Sequence, residues 1–360
     1  ASRARTGQPG PRKLGRSLGK NDRQGATLDA ERFLRKVRAD DFYSDQITHT
    51  HVIEPRTGEY AGLGEPLPLP LKAVLERSGI DRFYTHQAEA IGALRSGENT
   101  VIVTSTASGK TLCYNVPVLE RLIARPESRA LYLFPTKALA QDQLRVIKRY
   151  GGEDGIPFSA GTYDGDTPGP LRRKLRDEAQ VLLTNPDMLH SGILPNHAKW
   201  AVFFTRLEFV VIDEIHTYRG TFGSHVANVI GRLKRICSHY GSSPVFAASS
   251  ATIANPGEHA EKLIGLPVRV VDRDGSPSGR KRFIMWNPPT IDDAGLERRS
   301  SNSEAAEIVT RLVLDDVKTI AFVRARVVSE VITRYTRERL GERRASLSDS
   351  VHPYMGGYLP

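Results

Sequence analysis

The stretch TVIVTSTASGKT, residues 100–111, decides the fold of this chain. It opens with a short apolar strand, passes through a turn that contains a glycine, and leads into the helical pattern TLCYNVPVLERLI. A strand, a loop and a helix in this order direct backbone N–H groups and the positive end of a helix toward a phosphate chain. We therefore predict a phosphate-binding loop in which Lys110 reaches the terminal phosphates and the Thr111 hydroxyl binds Mg²⁺.

This loop departs from the general GxxxxGK[ST] pattern at one position, because Thr104 stands where the first glycine is expected. A glycine-containing turn with a solvated lysine is the alternative interpretation, and the flanking strand and helix favour the phosphate site. The residues predicted to contact the nucleotide in this loop are Thr106, Ala107, Ser108, Gly109, Lys110 and Thr111.

A second segment, FVVIDEIH at residues 209–216, places two carboxylates at the end of an apolar strand. Open α/β sheets bind ligands at the carboxyl ends of their strands, so Asp213 and Glu214 are expected to face the phosphate loop. Asp213 would hold Mg²⁺, and Glu214 would orient and deprotonate the attacking water. A pair of acidic residues after a strand is more often a solvated turn, but the phosphate loop upstream favours the catalytic interpretation.

Short apolar segments alternate with helical patterns from residue 71 onward, which is typical of a parallel sheet with helices on both faces. The fold class is therefore α/β. The predicted strands are residues 100–104, 130–134, 180–184, 208–213 and 244–249.

The remaining segments suggest four parts. Residues 1–28 are polar and basic and predict a flexible tail, and residues 29–70 predict an extension and a proline-rich connector. Residues 71–289 would form the nucleotide-binding domain, ending in the loop 272–289. Residues 290–360, with a strand at 318–323, would start a second domain of the same kind and stop after about one strand–helix unit.

Composition favours a polyanionic partner, because 51 Lys and Arg outnumber 41 Asp and Glu and give a net charge of +10. A merely soluble basic surface is the alternative. The two cysteines, Cys113 and Cys237, lie too far apart in sequence to suggest a disulfide framework or a four-cysteine zinc site, which favours the reducing cytoplasm. No apolar run approaches the roughly 18 residues of a membrane span, and we take a monomer as the default.

Taken together, TASGKT, the DEIH box at 213–216 and SAT at 250–252 resemble motifs I, II and III of superfamily 2 helicases. The resemblance implies a RecA-like P-loop NTPase domain that binds ATP and Mg²⁺. It also implies that His216 links the nucleotide site to Ser250, Ala251 and Thr252, which couple hydrolysis to the bound strand. THQ at 85–87 resembles the glutamine motif, in which the Gln87 amide would donate to and accept from one edge of adenine.

Four further segments resemble the nucleic-acid contacts of this superfamily. PTKALAQDQ at 135–143 resembles motif Ia, TYDGDTP at 162–168 the motif that follows, TNPDML at 184–189 motif Ib, and TIAFVRARVVSE at 319–330 motif IV. Ordinary strand-to-helix loops with capping residues are the alternative for each one alone. The implied contacts are Pro135, Thr136, Lys137, Gly165, Asp166, Thr184, Asn185, Pro186, Arg324 and Arg326.

Within the superfamily, the chain most resembles the YprA/MrfA type of bacterial DEAD/DEAH helicase linked to DNA repair, from about residue 49 to residue 360. This resemblance implies single-stranded or tailed DNA as the substrate and movement from 3′ to 5′. Such enzymes complete their ATP site with an arginine finger from the second domain, so we expect these 360 residues to bind ATP but hydrolyse it slowly.

Three other functions stay open. An RNA-remodelling helicase shares motifs I to III, and a nucleotide-dependent DNA-binding module would need no unwinding activity. A metabolic kinase could share the phosphate loop, but it would not require SAT or the loops that resemble motifs Ia and Ib.

Overall fold

The computed structural model describes residues 29–152, 155–292 and 297–354. They form two compact units. One is Glu54–Arg280, and the other joins the described residues of the segments 1–53 and 281–360. The tail predicted for residues 1–28 lies outside the described residues. Among the described residues, none of the helices combines the length and the apolar character that crossing a membrane requires.

The strands are β1 (Ile47–Ile53), β2 (Tyr60–Ala61), β3 (Phe83–Tyr84), β4 (Thr100–Val103), β5 (Arg129–Leu133), β6 (Ala160–Thr162), β7 (Val181–Thr184), β8 (Leu207–Ile212), β9 (Val245–Ser250), β10 (Arg269–Val271) and β11 (Lys281–Trp286). The α-helices are α1 (Ala30–Arg38), α2 (Leu69–Arg77), α3 (Thr85–Arg95), α4 (Lys110–Ala124), α5 (Lys137–Lys148), α6 (Gly169–Glu178), α7 (Pro186–Met188), α8 (Ala201–Thr205), α9 (Gly220–His239), α10 (Pro256–Ile264), α11 (Ser301–Leu314) and α12 (Arg326–Arg344).

The larger unit is built on a parallel sheet of seven strands in the order β10-β4-β9-β8-β5-β7-β6. Alternate side chains of each central strand enter two separate apolar clusters, as in β8, where Val210 belongs to one and Val211 to the other. Helices therefore cover both faces of the sheet, and the strands are almost wholly apolar because neither face meets water. The predicted α/β fold with a parallel sheet flanked by helices is confirmed.

All five predicted strands of this sheet are present, with each end within one residue of its prediction. The sequence did not predict β6 and β10, the strands at the two edges of the sheet. Both are three residues long, which is too short for an apolar pattern to stand out from the surrounding loop.

In the smaller unit, the secondary structure differs from the prediction at two places. Residues 281–286 were expected to be part of a loop, but they form β11, which pairs with β1 in an antiparallel ribbon. The strand predicted at 318–323 is wrong: residues 317–323 are irregular, and Ile320 and Phe322 are 74% and 88% exposed. A strand needs a neighbour to satisfy its backbone hydrogen bonds, and no other described strand pairs with this segment.

The two units also have different bounds from the predicted domains. The chain passes from the larger to the smaller unit after Arg280, before the border expected at 289, and residues 54–70 belong to the larger unit. Residues 29–53 belong with the later segment because β1 pairs with β11, a contact between distant parts of the chain that no local pattern indicates. That residues 290–360 begin a second RecA-like domain stays a prediction.

Candidate nucleotide site and nucleic-acid edge

The phosphate loop and the acidic pair lie at the same edge of the sheet. β4 and β8 both pair in parallel with β9, with Val103 opposite Ser250 and Ile212 opposite Ala248. The loop that follows β4 and the carboxylates that follow β8 are therefore separated by one strand. Because neighbouring strands lie about 4.8 Å apart, the two segments are on the order of 10 Å apart, a distance that one triphosphate can bridge.

The phosphate loop is folded around its own lysine. Ala107 and Gly109 have positive φ values of 64° and 83°, which turn the chain sharply before α4 begins at Lys110. The Lys110 ammonium donates to the carbonyls of Thr104 and Ser105, with N–O distances of 2.9 and 3.1 Å. The residues Thr106, Ala107 and Gly109 are exposed at the mouth of the loop. Phosphate oxygens would thus replace two loop carbonyls as acceptors for Lys110.

Two side chains brace the loop from within. The buried Ser108 hydroxyl lies 2.6 Å from the Thr104 hydroxyl. Gln87 is 3% exposed; its Nε2 donates to the Gly109 carbonyl at 3.2 Å, and its Oε1 accepts from the Tyr84 N–H at 3.0 Å. Both ends of the Gln87 amide are therefore engaged by the protein in this conformation, and its role in reading adenine stays a prediction.

A cavity of about 430 Å³ adjoins Gln87, Gly109 and Thr111. Tyr60, Arg82 and Tyr84 line its other side, with the two tyrosine rings 5.2 Å apart and the Arg82 guanidinium 3.9 Å from the centre of the Tyr60 ring. Flat aromatic and guanidinium groups beside a phosphate loop are suited to a heteroaromatic base. The sequence did not indicate this cavity, because β2 and β3, which bring Tyr60 and Tyr84 together, are only two residues each.

Asp213 is a buried carboxyl group that accepts hydrogen bonds from the protein. It is 7% exposed and accepts hydrogen bonds from the Ser249 hydroxyl and from the Glu214 N–H. Burial raises the pKa of the Asp213 carboxyl above its ordinary value of 3.8, and the hydrogen bond from Ser249 acts in the opposite direction. Glu214 itself has a left-handed φ of 53°, a strained conformation that is common at functional sites.

This donor set fits Mg²⁺. Among the described residues, no group of three or more His, Cys, Asp and Glu side chains could hold a metal ion. Mg²⁺ in nucleotide sites needs fewer protein ligands, since it binds one or two oxygen donors together with phosphates and water. The buried Asp213 carboxylate and the half-buried Thr111 are such donors, and a cation would offset the cost of burying the charge.

His216 contacts both the acidic pair and the segment after β9. Its Nδ1 accepts from the Ala251 N–H at 3.2 Å and lies 3.1 Å from Glu214 Oε2. One nitrogen can serve only one of these partners: it accepts from Ala251 when unprotonated and donates to Glu214 when protonated. The Ser250 hydroxyl is buried and has no partner among the described residues, whereas Thr252 is exposed. Ser249, which the sequence analysis missed, makes the side-chain contact to Asp213.

The predicted nucleic-acid loops follow β5, β6 and β7, which form the other half of the same edge. Lys137 is exposed and its ammonium lies 2.6 Å from an Asp166 carboxylate oxygen, which raises the pKa of Lys137. Gly165 is exposed beside Asp166, and Pro135 is half-buried before α5. Thr136 is exposed and caps α5 through the Leu139 N–H at 3.3 Å.

The third loop uses its polar side chains internally. Thr184 is 2% exposed and donates to the Tyr163 carbonyl at 2.6 Å, and Asn185 caps α7 by accepting from the Met188 N–H at 2.8 Å. Pro186 is buried. Arg324 is exposed in the smaller unit, where Arg326 begins α12. The contact of all these residues with nucleic acid stays a prediction.

Comparison with known proteins gives one consistent family. The DEAD/DEAH box helicase family matches residues 84–259. "Uncharacterized ATP-dependent helicase YprA" of Bacillus subtilis is 49% identical over 88% of this chain and 42% of its own length, and "ATP-dependent helicase HRQ1" of Saccharomyces cerevisiae is 41% identical over 90% and 30%. The crystal structure of DUF1998 helicase MrfA bound to DNA is 46% identical, with a TM-score of 0.87 over 92% of this chain and 44% of MrfA. MrfA bound to DNA and AMPPNP gives a TM-score of 0.86. The chain thus spans less than half the length of each of these relatives.

Proposed function

Because this chain belongs to the DEAD/DEAH box helicase family, we propose that it is the ATP-binding part of an ATP-driven DNA translocase of the YprA, HRQ1 and MrfA type. The observation that carries the proposal is the shared edge of the sheet, where Lys110 and the pair of Asp213 and Glu214 flank one strand. The AMPPNP in the MrfA structure supports a nucleoside triphosphate as the ligand.

In the proposed reaction the chain's own residues position the triphosphate and the water. Lys110 moves from the Thr104 and Ser105 carbonyls to the terminal phosphates, and the first turn of α4 faces the phosphate chain. Glu214 accepts a proton from water as the water oxygen bonds to the γ-phosphorus, and the bond to the β–γ bridging oxygen breaks to leave ADP. Mg²⁺, held by Asp213 and Thr111, would neutralise the charge of the phosphates.

The other half of the edge would hold the strand. Lys137 and the exposed backbone around Gly165 offer cationic and N–H groups suited to sugar-phosphate, which gives binding without base specificity. The net charge of +10 supports a polyanion, and the DNA in the MrfA structures supports DNA over RNA. Single-stranded DNA as the track, movement from 3′ to 5′ and a role in DNA repair are further parts of the proposal that rest on the family resemblance. A cytoplasmic location is also proposed, and it rests on the two cysteines that lie far apart in the sequence.

His216 would couple the two halves. Its contact with the Ala251 N–H joins the segment after β8 to the segment after β9, so a change at Glu214 is transmitted to residues 250–252. An RNA-remodelling helicase remains the second candidate, because none of these residues reads the sugar.

The test is nucleotide-dependent binding of single strands by the 360-residue chain. Fluorescence anisotropy with labelled DNA and RNA of the same sequence is measured with and without Mg²⁺ and AMPPNP. The proposal expects tighter DNA binding when the nucleotide is present, with DNA preferred over RNA. If the affinity for DNA is the same with and without AMPPNP, the proposed coupling between nucleotide and DNA is contradicted. A preference for RNA would favour the RNA-remodelling helicase.

A further inference from the structure

A buried hydrogen-bond network lies against the phosphate loop and is centred on Asp274, three residues after β10. One Asp274 carboxylate oxygen accepts from the N–H and the hydroxyl of Ser105, at 3.2 and 2.5 Å. The other oxygen accepts from the N–H and the hydroxyl of Ser276, at 2.9 and 2.7 Å. The Asp274 side chain is only 12% exposed. The phosphate loop is thereby fastened to a segment that no sequence motif indicated.

Arg56 and His86 complete this network. The Arg56 guanidinium lies 3.2 Å from Asp274 and donates twice to the Ser276 carbonyl. His86 is fully buried; its Nδ1 accepts from the Gly275 N–H at 3.2 Å, which leaves Nε2 to donate to the Ser108 carbonyl at 3.2 Å. The loop is thus held at two points, Ser105 by Asp274 and Ser108 by His86.

The charges in the network fit a permanent anchor. Burial raises the pKa of Asp274, but the hydrogen bonds from Ser105 and Ser276 together lower it by more. The pKa of this carboxyl therefore lies well below its ordinary range, and the group stays ionised. Burial lowers the pKa of His86, which favours the neutral ring that the two contacts require. Charge-assisted hydrogen bonds to Asp274 are among the stronger ones in proteins.

The segment that carries the anchor has little room to move. A β-carbon placed on Gly275 would collide with the Thr85 hydroxyl and lie 3.0 Å from the Glu59 carbonyl. Backbone hydrogen bonds join Glu59 to Gly275 at 2.8 Å and Thr85 to Glu59 at 2.9 Å. Asp274 occupies the Ser105 N–H, and the Ser108 N–H donates to the Ser105 carbonyl at 3.3 Å, so both of these loop amides are engaged by the protein in this conformation.

We propose that Asp274 and His86 are positioning residues that hold the phosphate loop in the shape that receives the triphosphate. This inference rests on the proposed nucleotide function and adds to it. Without the anchor, the loop would sample other shapes, and the apparent affinity would fall in proportion to the fraction of competent loop.

The test compares Asp274→Asn and Ser105→Ala with the matched control Asp272→Asn, an exposed acid two residues earlier. Binding of a fluorescent ATP analogue with Mg²⁺ is expected to weaken about tenfold in each anchor variant, as the loss of a charge-assisted hydrogen bond predicts. The double variant should lose no more affinity than the single variant that binds the analogue more weakly, since both substitutions remove the same interaction between Ser105 and Asp274. Amide exchange should rise in peptides covering residues 104–109 and stay unchanged in β5 and β8.

The outcomes separate the two proposals. If the wild-type chain binds no ATP analogue, the proposed function is wrong. If it binds, and folded Asp274→Asn and Ser105→Ala bind as tightly with unchanged exchange in the loop, the positioning role is wrong and the proposed function stands. Should Asp274→Asn unfold, Ser105→Ala alone decides, because it removes one hydroxyl of a half-buried residue and leaves the Asp274 carboxylate in place.

Discussion

Glu214 is the residue to which we assign the deprotonation of water, and its function is separable from binding. Glu214→Gln keeps the size of the side chain and removes only its charge, so ATP affinity should be retained. Hydrolysis should fall by about two orders of magnitude or more, the usual contribution of a general base. Single-turnover release of phosphate measures this, with Glu127→Gln, an exposed glutamate, as the control. An unchanged rate of hydrolysis in Glu214→Gln would show that Glu214 is not the general base.

Asp213 is expected to destabilise the nucleotide-free fold. Because burial raises its pKa, the folded state binds this proton more tightly than the unfolded state does, and the cost is largest at pH values above the folded pKa. Asp213→Asn should therefore raise the thermal unfolding midpoint by a few degrees at pH 8. The gain should shrink as the pH falls through the raised pKa of the folded state, and it should vanish below the ordinary value of 3.8, where the carboxyl becomes protonated in both states.

Thermal unfolding at pH 8 and pH 5, with Asp272→Asn as the control, checks this difference. A gain that grows at the lower pH would mean that Asp213 is stabilised as an anion, contrary to the account.

At the residue level, the sequence indicated where the motif residues lie relative to the strands, but it did not indicate which side chains contact them. Lys110, Asp213 and Glu214 could be assigned because each has a fixed place after a strand. Ser249 could not be distinguished from Ser250, because the two are adjacent serines on opposite faces of β9 and only the folded sheet shows which one meets Asp213. Asp274 carried no local signal.

The loop after β5 carries Lys137, whose predicted contact with a phosphate of the strand can be tested through its charge. Lys137→Ala should weaken single-strand binding and reduce the slope of log affinity against log salt by about 0.7, the effect of one lost phosphate contact. Lys148→Ala, at the exposed end of the same helix, is the control. Equal effects of the two variants would show that only overall charge matters.

At the level of elements, the strands with a neighbour on both sides were predictable from the sequence, and the edge strands were not. The five central strands have near-continuous apolar sequences because both faces are buried. Residues 318–323 have the same character, yet they are irregular since no described strand pairs with them. An apolar run predicts burial in a completed sheet, and the sheet itself is a property of the chain as a whole.

The whole chain should be a weak ATPase. The resemblance to superfamily 2 helicases implies an arginine finger from a second motor domain, and such a group is worth about 10³ to 10⁵ in rate in comparable phosphoryl transfer. The 360-residue chain should therefore turn over ATP far more slowly than the full-length Bacillus subtilis relative, and DNA should stimulate it little. Steady-state phosphate release from both proteins, with and without DNA, measures this. Equal DNA-stimulated turnover would contradict the expectation.

At the scale of the molecule, the order of the motifs predicted that they would lie at one edge of the sheet, because parallel strands bring all their carboxyl ends to the same edge. The sequence did not indicate how the segments are arranged along that edge. In the sheet, β4, β9 and β8 precede the residues of the proposed nucleotide site, and β5, β7 and β6 precede the predicted nucleic-acid loops. The bounds of the two units depend on the pairing of β1 with β11, which joins distant segments and leaves no local pattern.

The most direct test of the account is the affinity of Lys110→Ala for a fluorescent ATP analogue with Mg²⁺, beside wild type and the exposed-lysine control Lys199→Ala. If Lys110 and the acidic pair share one magnesium-bound triphosphate, Lys110→Ala should bind at least tenfold more weakly, as expected for the loss of a buried charged hydrogen bond, while Lys199→Ala binds like wild type. Undiminished affinity in a folded Lys110→Ala protein would contradict the claim.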